Sequence, residues 1–305
     1  VCNAAVASLV EFAPAKINLT LRIGARRADG YHELESLVVF AGIGDRLRLQ
    51  VGESLSLSAR GENAAAAGDV AANLVLKAAR NLIAEIPELR VGRFELEKNL
   101  PVAAGLGGGS SDAAAALRLL ARANPDKKLF GDPRLMAAAR RTGADVPVCL
   151  DPRPRIMRGI GDRLSECLHL PKLPALLVNP RVSVPTAGVF AARANAPDAM
   201  PYRSGDPATK FAERTISAVV TPNMDDTIGA LAQSGNDLEA PAIGLHPAIA
   251  DALAALRSLP GCRLARMSGS GATCFGLFDE ADLPSAARTL GARHPHWWIA
   301  PTSLG

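Results

Sequence analysis

The chain has 305 residues, 48% hydrophobic and 21% charged, enough apolar material for a buried core; at roughly 150 residues per domain it predicts two domains. Disorder as the main state is excluded, and so is a helical membrane span, because no run approaches the ~18 consecutive apolar residues that a bilayer needs. Basic residues number 34 against 30 acidic ones, for a net charge of +4 with only 4% aromatics; without a basic stripe interleaved with aromatic rings, nucleic acid is disfavoured as a partner and a small anionic ligand is favoured.

The opening VCNAAVASLV lacks the basic start and long apolar stretch of a signal peptide, which predicts a cytoplasmic location. Residues 16–23, KINLTLRI, alternate: Ile17, Leu19, Leu21 and Ile23 share one face and Lys16, Asn18, Thr20 and Arg22 the other, the pattern of a strand with a polar face. ARRADG reads as a turn, and YHELESLVVF, DRLRLQV and SLSLSAR as short strands, so the first sixty residues predict an antiparallel meander. A helix is expected over about 73–85, where Leu74, Ala78 and Leu82 form a stripe. VGRFELEKNL is a strand running into a glycine loop and a long helix, and DPRLMAAARRTG is a second helix with Pro133 in its first turn and Gly143 at its end.

The proline- and arginine-rich DPRPRIMRGIGD is the expected boundary, giving domains 1–162 and 163–305. Beyond it ALLVNP is a strand, a helix starts after VPT, RANAPDAMPYRSGDPATK is a surface loop, and NDLEAPAIGLHPAIADALAALRSLPG is helical with breaks at its prolines. CRLARM and ATCFGLF are strands separated by SGSG, DLPSAARTLGA is a helix and HWWIAP a last strand. The order β-α-β-β-α-β predicts a ferredoxin-like domain.

The strongest local signal is Gly105-Leu106-Gly107-Gly108-Gly109-Ser110-Ser111-Asp112. Glycines let a backbone approach a ligand closely, and the hydroxyls stand where a helix begins, whose free N–H groups attract phosphate. A dinucleotide fingerprint needs glycine where Ser110 stands, and a Walker A loop needs an absent Lys-Ser or Lys-Thr. Ser-Gly-Ser-Gly at 268–271 reads by itself as a hairpin turn, and it is no nucleophile elbow, because residue 268 is serine. Lys16 on a polar strand face reads by itself as solvated, and Asp145 in GADVP as a turn residue. His32-Glu33 lacks the second histidine of a zinc motif, since residue 36 is serine, and His294 and His296 have no further ligands nearby in the sequence. The five cysteines, Cys2, Cys149, Cys167, Cys262 and Cys274, are an odd number without CxxC spacing, which predicts inert thiols rather than disulfides or zinc.

Together these segments have a recognisable order. APAKINL, ADGYHELES, PVAAGLGGGSSDAA, GADVP, NPRVSVPTAGVF and MSGSGATCFG resemble the motifs of the GHMP small-molecule kinases, from about Phe12 to Phe278. The resemblance implies an α+β fold, with an ATP-binding N-terminal domain like domain 2 of ribosomal protein S5 joined to a ferredoxin-like C-terminal domain. It implies that Lys16 and Asp145 are the catalytic pair and that Pro101, Val102, Ala103, Ala104, Gly105, Leu106, Gly107, Gly108, Gly109, Ser110 and Ser111 wrap the phosphates of ATP, with Asn73 as a further nucleotide contact. Substrate would be held by Asn18, Tyr31, His32, Thr186, Phe190, Gly269 and Ser270, the cytosine stacked between Tyr31 and Phe190 with His32 at its edge. PAKINL, DGYHEL and GADVP point within the family to members that phosphorylate the 2-hydroxyl of a cytidylated sugar alcohol in the non-mevalonate isoprenoid pathway, with ATP as donor and Mg²⁺ as cofactor, acting as a monomer or weak homodimer.

The residue types suit that chemistry, since phosphoryl transfer needs positioning and charge neutralisation more than covalent help. Asp145 would accept the proton of the attacking hydroxyl, and Lys16 would keep that carboxylate ionised and hold phosphoryl oxygens. Three alternatives stand beside this one. A sister kinase acting on homoserine or mevalonate would leave the aromatic and imidazole groups of ADGYHEL without a use. A nucleotide-binding fold without turnover would not need both Lys16 and Asp145. A dinucleotide-dependent oxidoreductase is weakened by Ser110 and by the antiparallel opening.

Overall fold

A computed structural model of the chain describes residues 8–28, 30–65, 72–194 and 223–305. The surface loop expected over 193–210 falls almost wholly outside the described residues. The rest divides into two compact units, each built from several stretches of chain: one takes the residues up to Ala15, Gly44–Val102 and Gly107–Pro152, the other Lys16–Ile43, Ala103–Leu106 and the residues from Arg153 onward.

The first unit holds the strands β4 (Ser56–Arg60) and β5 (Gly92–Glu97) beside the second half of β3 (His32–Val51), and the helices α1 (Leu74–Glu85), α2 (Gly108–Ala123), α3 (Pro133–Thr142) and the short α4 (Val146–Cys149). β5 pairs antiparallel with β3, Leu49 opposite Phe94, and parallel with β4, Leu57 opposite the same Phe94. Helix α1 buries Val75, Leu76, Ala78, Ala79 and Leu82 and packs on α2 and α3. The run of alanines in α2 is buried almost all round, which small side chains permit because neighbouring elements can approach its backbone closely. Pro133 stands in the first turn of α3 after an Asp132 side chain that accepts from Arg134 N, the start that the sequence predicts.

The second unit carries the first half of β3 with β2 (Arg22–Arg26), β6 (Arg155–Gly159) and β7 (Arg163–Leu164), and then β8 (Leu173–Asn179), α5 (Thr186–Ala194), α6 (Met224–Ala232), α7 (Glu239–Leu245), α8 (Ala248–Arg257), β9 (Cys262–Met267), β10 (Cys274–Phe278), α9 (Leu283–Arg293) and β11 (Trp298–Leu304). Its strands run in the order β11-β8-β10-β9, with every neighbouring pair antiparallel. That is the arrangement of a ferredoxin-like sheet. Helix α8 packs on β9 and β10, and α9 on β11 and β8, burying Leu176, Val178, Leu253, Leu256, Met267 and Phe278.

Two expectations need correction. The strand expected over 16–23 is divided: β1 (Ser8–Asn18) ends at Asn18 and β2 begins at Arg22. Its face carrying Lys16 and Asn18 is not solvated, for each is only 3% exposed. The meander is also wrong in part, since YHELESLVVF and DRLRLQV form one 20-residue strand and β4 pairs parallel with β5. The segment DPRPRIMRGIGD, the expected boundary, contains β6 and most of the hairpin to β7, and β6 pairs with β3 from Leu34 to Val38.

Candidate active site

In the second unit, residues far apart in sequence meet around one hydroxyl. Ser268 Oγ accepts the backbone N–H of Asn18 at 3.1 Å and donates to the carbonyl of Gly105 at 3.0 Å. Lys16 N donates to Leu106 O at 2.8 Å, and Thr273 N to Ala104 O at 3.0 Å. The end of β1, the centre of the glycine loop and the Ser-Gly-Ser-Gly loop are therefore tied together by backbone and hydroxyl hydrogen bonds. Gly105 has φ +74°, and a Cβ there would collide with the Ser268 carbonyl. Both the conformation and the close approach require glycine.

Other polar groups fix the same region. Asn18 Nδ2 donates to Ser36 Oγ at 2.7 Å, which donates on to Thr20 O. Asn236 Nδ2 donates to the carbonyls of Met267 and Gly269 at 2.8 and 2.7 Å. Arg266, which the sequence reading passed over, donates to Leu19 O, Leu231 O and Ser234 O; burial pulls its guanidinium down to about 10, against the charge of Glu239, so it remains a cation at neutral pH.

The groups expected to hold substrate fall in the same unit. Thr186, at the start of α5, shares a hydrogen bond of 2.9 Å with Ser270. Phe190, one turn along α5, lies against His32, their ring centroids 5.7 Å apart and tilted by 37°; these rings touch each other directly. His32 Nδ1 is 3.3 Å from Gly24 O, and Tyr31 is 58% exposed.

The first unit holds the other half of the predicted residues. Gly107, with φ 60°, is the N-cap of α2, which has no side-chain cap; Ala103, a residue of the second unit, takes a left-handed φ of 51° despite its Cβ. A 16-residue helix begun by glycines and left uncapped exposes its first N–H groups, the ordinary receptor for phosphate. Ser111 Oγ is buried and has no hydrogen-bond partner among the described residues. Asn73 caps α1, its Oδ1 accepting from Val75 N at 2.9 Å. Asp145 is half-buried and immediately precedes α4. The far end of α4 is held by Arg118 of α2, which donates to Cys149 O at 2.7 Å, to Phe12 O at 2.8 Å and to Glu11 at 3.0 Å.

A buried charge cluster also escaped the sequence reading. Lys98 Nζ lies 2.5 Å from Asp45 Oδ2 and 2.7 Å from Asp112 Oδ2. All three side chains are buried. Burial pushes the Asp112 carboxyl up to about 7 against the pull of Lys98; burial also works to lower the Lys98 ammonium, but the two carboxylates outweigh it and hold it above the ordinary lysine range. A signal was present, because Phe94, Leu96 and Lys98 share the buried parity of one strand.

The described residues contain no group of three or more His, Cys, Asp or Glu side chains that could hold a metal. The described cysteines Cys149, Cys167, Cys262 and Cys274 are not joined to one another in disulfides, and burial pushes the Cys274 thiol up, leaving it protonated. No described helix is long and apolar enough to cross a membrane.

Comparison with known proteins adds the following. Residues 73–151 match the family model "GHMP kinases N terminal domain", and residues 215–296 match "GHMP kinases C terminal". The chain is 56% identical over 293 residues to the 4-diphosphocytidyl-2-C-methyl-D-erythritol kinase of Xanthobacter autotrophicus, covering 96% of this chain and 97% of that one. To the protein of the same name from Methylobacterium radiotolerans it is 54% identical over 301 residues, covering 97% and 99%. Among solved structures, a 4-(cytidine 5'-diphospho)-2C-methyl-D-erythritol kinase superposes with a TM-score of 0.75 at 34% identity, over 97% of this chain and 99% of that chain. A homoserine kinase from Cytophaga hutchinsonii reaches 0.69 at 17% identity, over 99% and 97%, a likeness of fold.

Proposed function

The chain belongs to the GHMP kinases, and from that premise we propose how its residues divide the work of the reaction. It is an ATP-dependent small-molecule kinase, transferring the γ-phosphoryl group of ATP to the 2-hydroxyl of 4-diphosphocytidyl-2-C-methyl-D-erythritol and giving the 2-phosphate and ADP, a step in isoprenoid precursor synthesis. The observation that carries this is identity of 56% along nearly the whole chain to a relative of that name.

Asp145 accepts the proton as the substrate oxygen attacks phosphorus, so that the O–H bond breaks while the new O–P bond forms and the bond to the β-phosphate oxygen opens. Lys16 supplies the positive charge beside that exchange, keeping the carboxylate ionised and drawing on the phosphoryl oxygens. The loop Pro101–Ser111 cradles the triphosphate. Its support is the left-handed backbone at Ala103, Gly105 and Gly107 and the uncapped start of α2. Asn73 adds a nucleotide contact through the part of its amide not used to cap α1.

At the other end, the cytosine stacks on Tyr31 and Phe190, with His32 at its edge, while Asn18, Thr186, Gly269 and Ser270 line the rest of the substrate's path. Support comes from the contact of His32 with Phe190 and the bond between Thr186 and Ser270. Magnesium, carried by the nucleotide, would neutralise phosphate charge. Both family matches fall inside the ranges read from the sequence, which supports 1–162 as the ATP-binding part and 163–305 as the ferredoxin-like part. We further place the protein in the cytoplasm as a monomer or weak dimer.

A coupled ADP-release assay with Mg-ATP and a panel of alcohols tests the assignment. Turnover is expected on the cytidylated alcohol; turnover on homoserine or mevalonate without it contradicts the reading.

A further inference from the structure

The glycine loop has two ends, and one buried charge cluster grips both. On the side where the chain enters it, Asp45 Oδ1 accepts the backbone N–H groups of Asn99 at 2.6 Å and Leu100 at 2.9 Å, the residues directly before Pro101. On the side where the chain leaves it, Asp112 stands on the second turn of α2. Lys98 joins the two carboxylates, 2.5 Å from Asp45 and 2.7 Å from Asp112. The ammonium lies so near the helix start that a Cβ on Gly108 would come within 3.1 Å of Lys98 Nζ, a tight approach that glycine avoids.

An arrangement of this kind is costly if its only role is to fill space. Removing three charged groups from water is expensive, and a well-packed apolar trio of equal volume is often as stable or more so. What the charges add is fixed geometry, since an ammonium between two carboxylates has short, directional bonds that an apolar contact lacks. On the helices packed against α2, Lys77 of α1 donates to Thr142 O, Arg141 of α3 pairs with Glu85, and α4 carries no charged residue. Asp112 Oδ1 has no partner among the described residues; its other oxygen takes the Lys98 ammonium at 2.7 Å, and the Asp45 carboxyl lies against the same group and works to raise its pKa.

We propose that Lys98, Asp45 and Asp112 form a positioning clamp that sets the distance and angle between the two ends of the loop 101–107 and so pre-organises it for the triphosphate of ATP. The inference rests on reading that loop as the phosphate cradle. None of the three touches a reacting atom; they act through the loop, lowering the ordering cost that ATP would otherwise meet on binding.

The test uses the full chain with Asp112→Asn, which keeps the side-chain shape and leaves the Lys98–Asp45 pair intact, with Lys98→Met, and with both together. The expected result is a KM for ATP raised about five- to twenty-fold in each single variant with kcat within about threefold and the KM for the cytidylated alcohol unmoved, the pattern of lost ground-state binding. The double variant is expected to be no worse than the poorer single one, because each breaks the same link. In the ligand-free chain, amide hydrogen exchange over 101–111 is expected to quicken in Asp112→Asn relative to wild type at the same pH. If Lys98→Met does not fold, Asp112→Asn carries the test by itself.

Exchange that is unchanged overturns the clamp, whatever the kinetics. Losses spread equally over kcat and both KM values overturn it as well, since they would mark general damage. So does quickened exchange with an unmoved KM for ATP in a chain that binds ATP. A wild-type chain that binds no ATP, with loop exchange still quickened by Asp112→Asn, removes the phosphate reading instead and leaves the clamp standing.

Discussion

The hydroxyl of Ser268 lies 3.1 Å from the backbone nitrogen of Asn18, a bond spanning 250 positions of sequence. Since the same hydroxyl donates to Gly105 O, one oxygen fixes the end of the strand that carries Lys16 to the middle of the glycine loop. Ser268→Ala therefore leaves a buried N–H and a part-buried carbonyl short of a partner. The expected loss of unfolding free energy is about 1–3 kcal/mol, read by urea denaturation, and kcat should fall by more than substrate affinity. Full activity with unaltered stability would remove Ser268 from the framework of the site.

Asp112 gives a pH dependence whose sign can be worked out. Its carboxyl sits at about 7 in the folded chain, against 3.8 for an exposed aspartate, so the folded state keeps a proton that the unfolded state has released. The stability this group contributes is greatest at and below pH 4 and is lost as pH rises to 7. Asp112→Asn removes that slope. The melting temperature of the variant minus that of wild type should climb between pH 5 and 7 and then level off; a difference that stays constant across the range contradicts the assignment. The cost of ionising Asp112 falls on global stability, whereas its bond to Lys98 acts locally on the loop.

For Phe190 the expected effect is selective. Phe190→Ala should raise the KM for the cytidylated alcohol about tenfold, the scale of one lost aromatic stack with its buried area, while the KM for ATP changes little. Steady-state kinetics with each substrate varied in turn checks this, and equal losses for both would argue against a stacking role.

Asp145→Asn should lower kcat by a factor on the order of 10² or more while both substrates still bind, because general-base catalysis is commonly of that size. Single-turnover measurement with saturating substrates isolates the step. A near-normal rate would take Asp145 out of the mechanism.

Much of the architecture was legible in the chain. Helix α3 was bracketed by Pro133 and Gly143, and the β-α-β-β-α-β order of the second half forms the ferredoxin-like sheet that it predicts. What failed had physical causes. Gly42 and Gly44 look like a turn between YHELESLVVF and DRLRLQV, yet a Cβ at Gly44 would collide with the Ala13 carbonyl; this glycine permits close packing inside one long strand. The parallel pairing of β4 with β5 depends on a partner more than thirty residues away, which no local pattern encodes.

The site divides in the same way. Motif order singled out the glycine loop, Lys16 and Asp145 as candidates, because those residues follow one another in recognisable segments. Asp45, Lys98, Arg118 and Arg266 were passed over because single charged residues in apolar elements read as surface, and only their burial reveals them. The Ser-Gly-Ser-Gly loop, weak by itself as a hairpin signal, gains its meaning from Asn18 and Gly105, which only the fold brings to it.

The central claim is that this chain phosphorylates the cytidylated alcohol in preference to the substrates of its fold relatives. Equimolar 4-diphosphocytidyl-2-C-methyl-D-erythritol, homoserine and mevalonate, given together with limiting Mg-ATP and the wild-type chain, let the three compete for one phosphoryl group. Phosphorus NMR and mass spectrometry of the products should find the new phosphate monoester on the 2-hydroxyl of the cytidylated alcohol and on neither of the others; phosphate on homoserine or mevalonate, with the cytidylated alcohol untouched, would contradict the account.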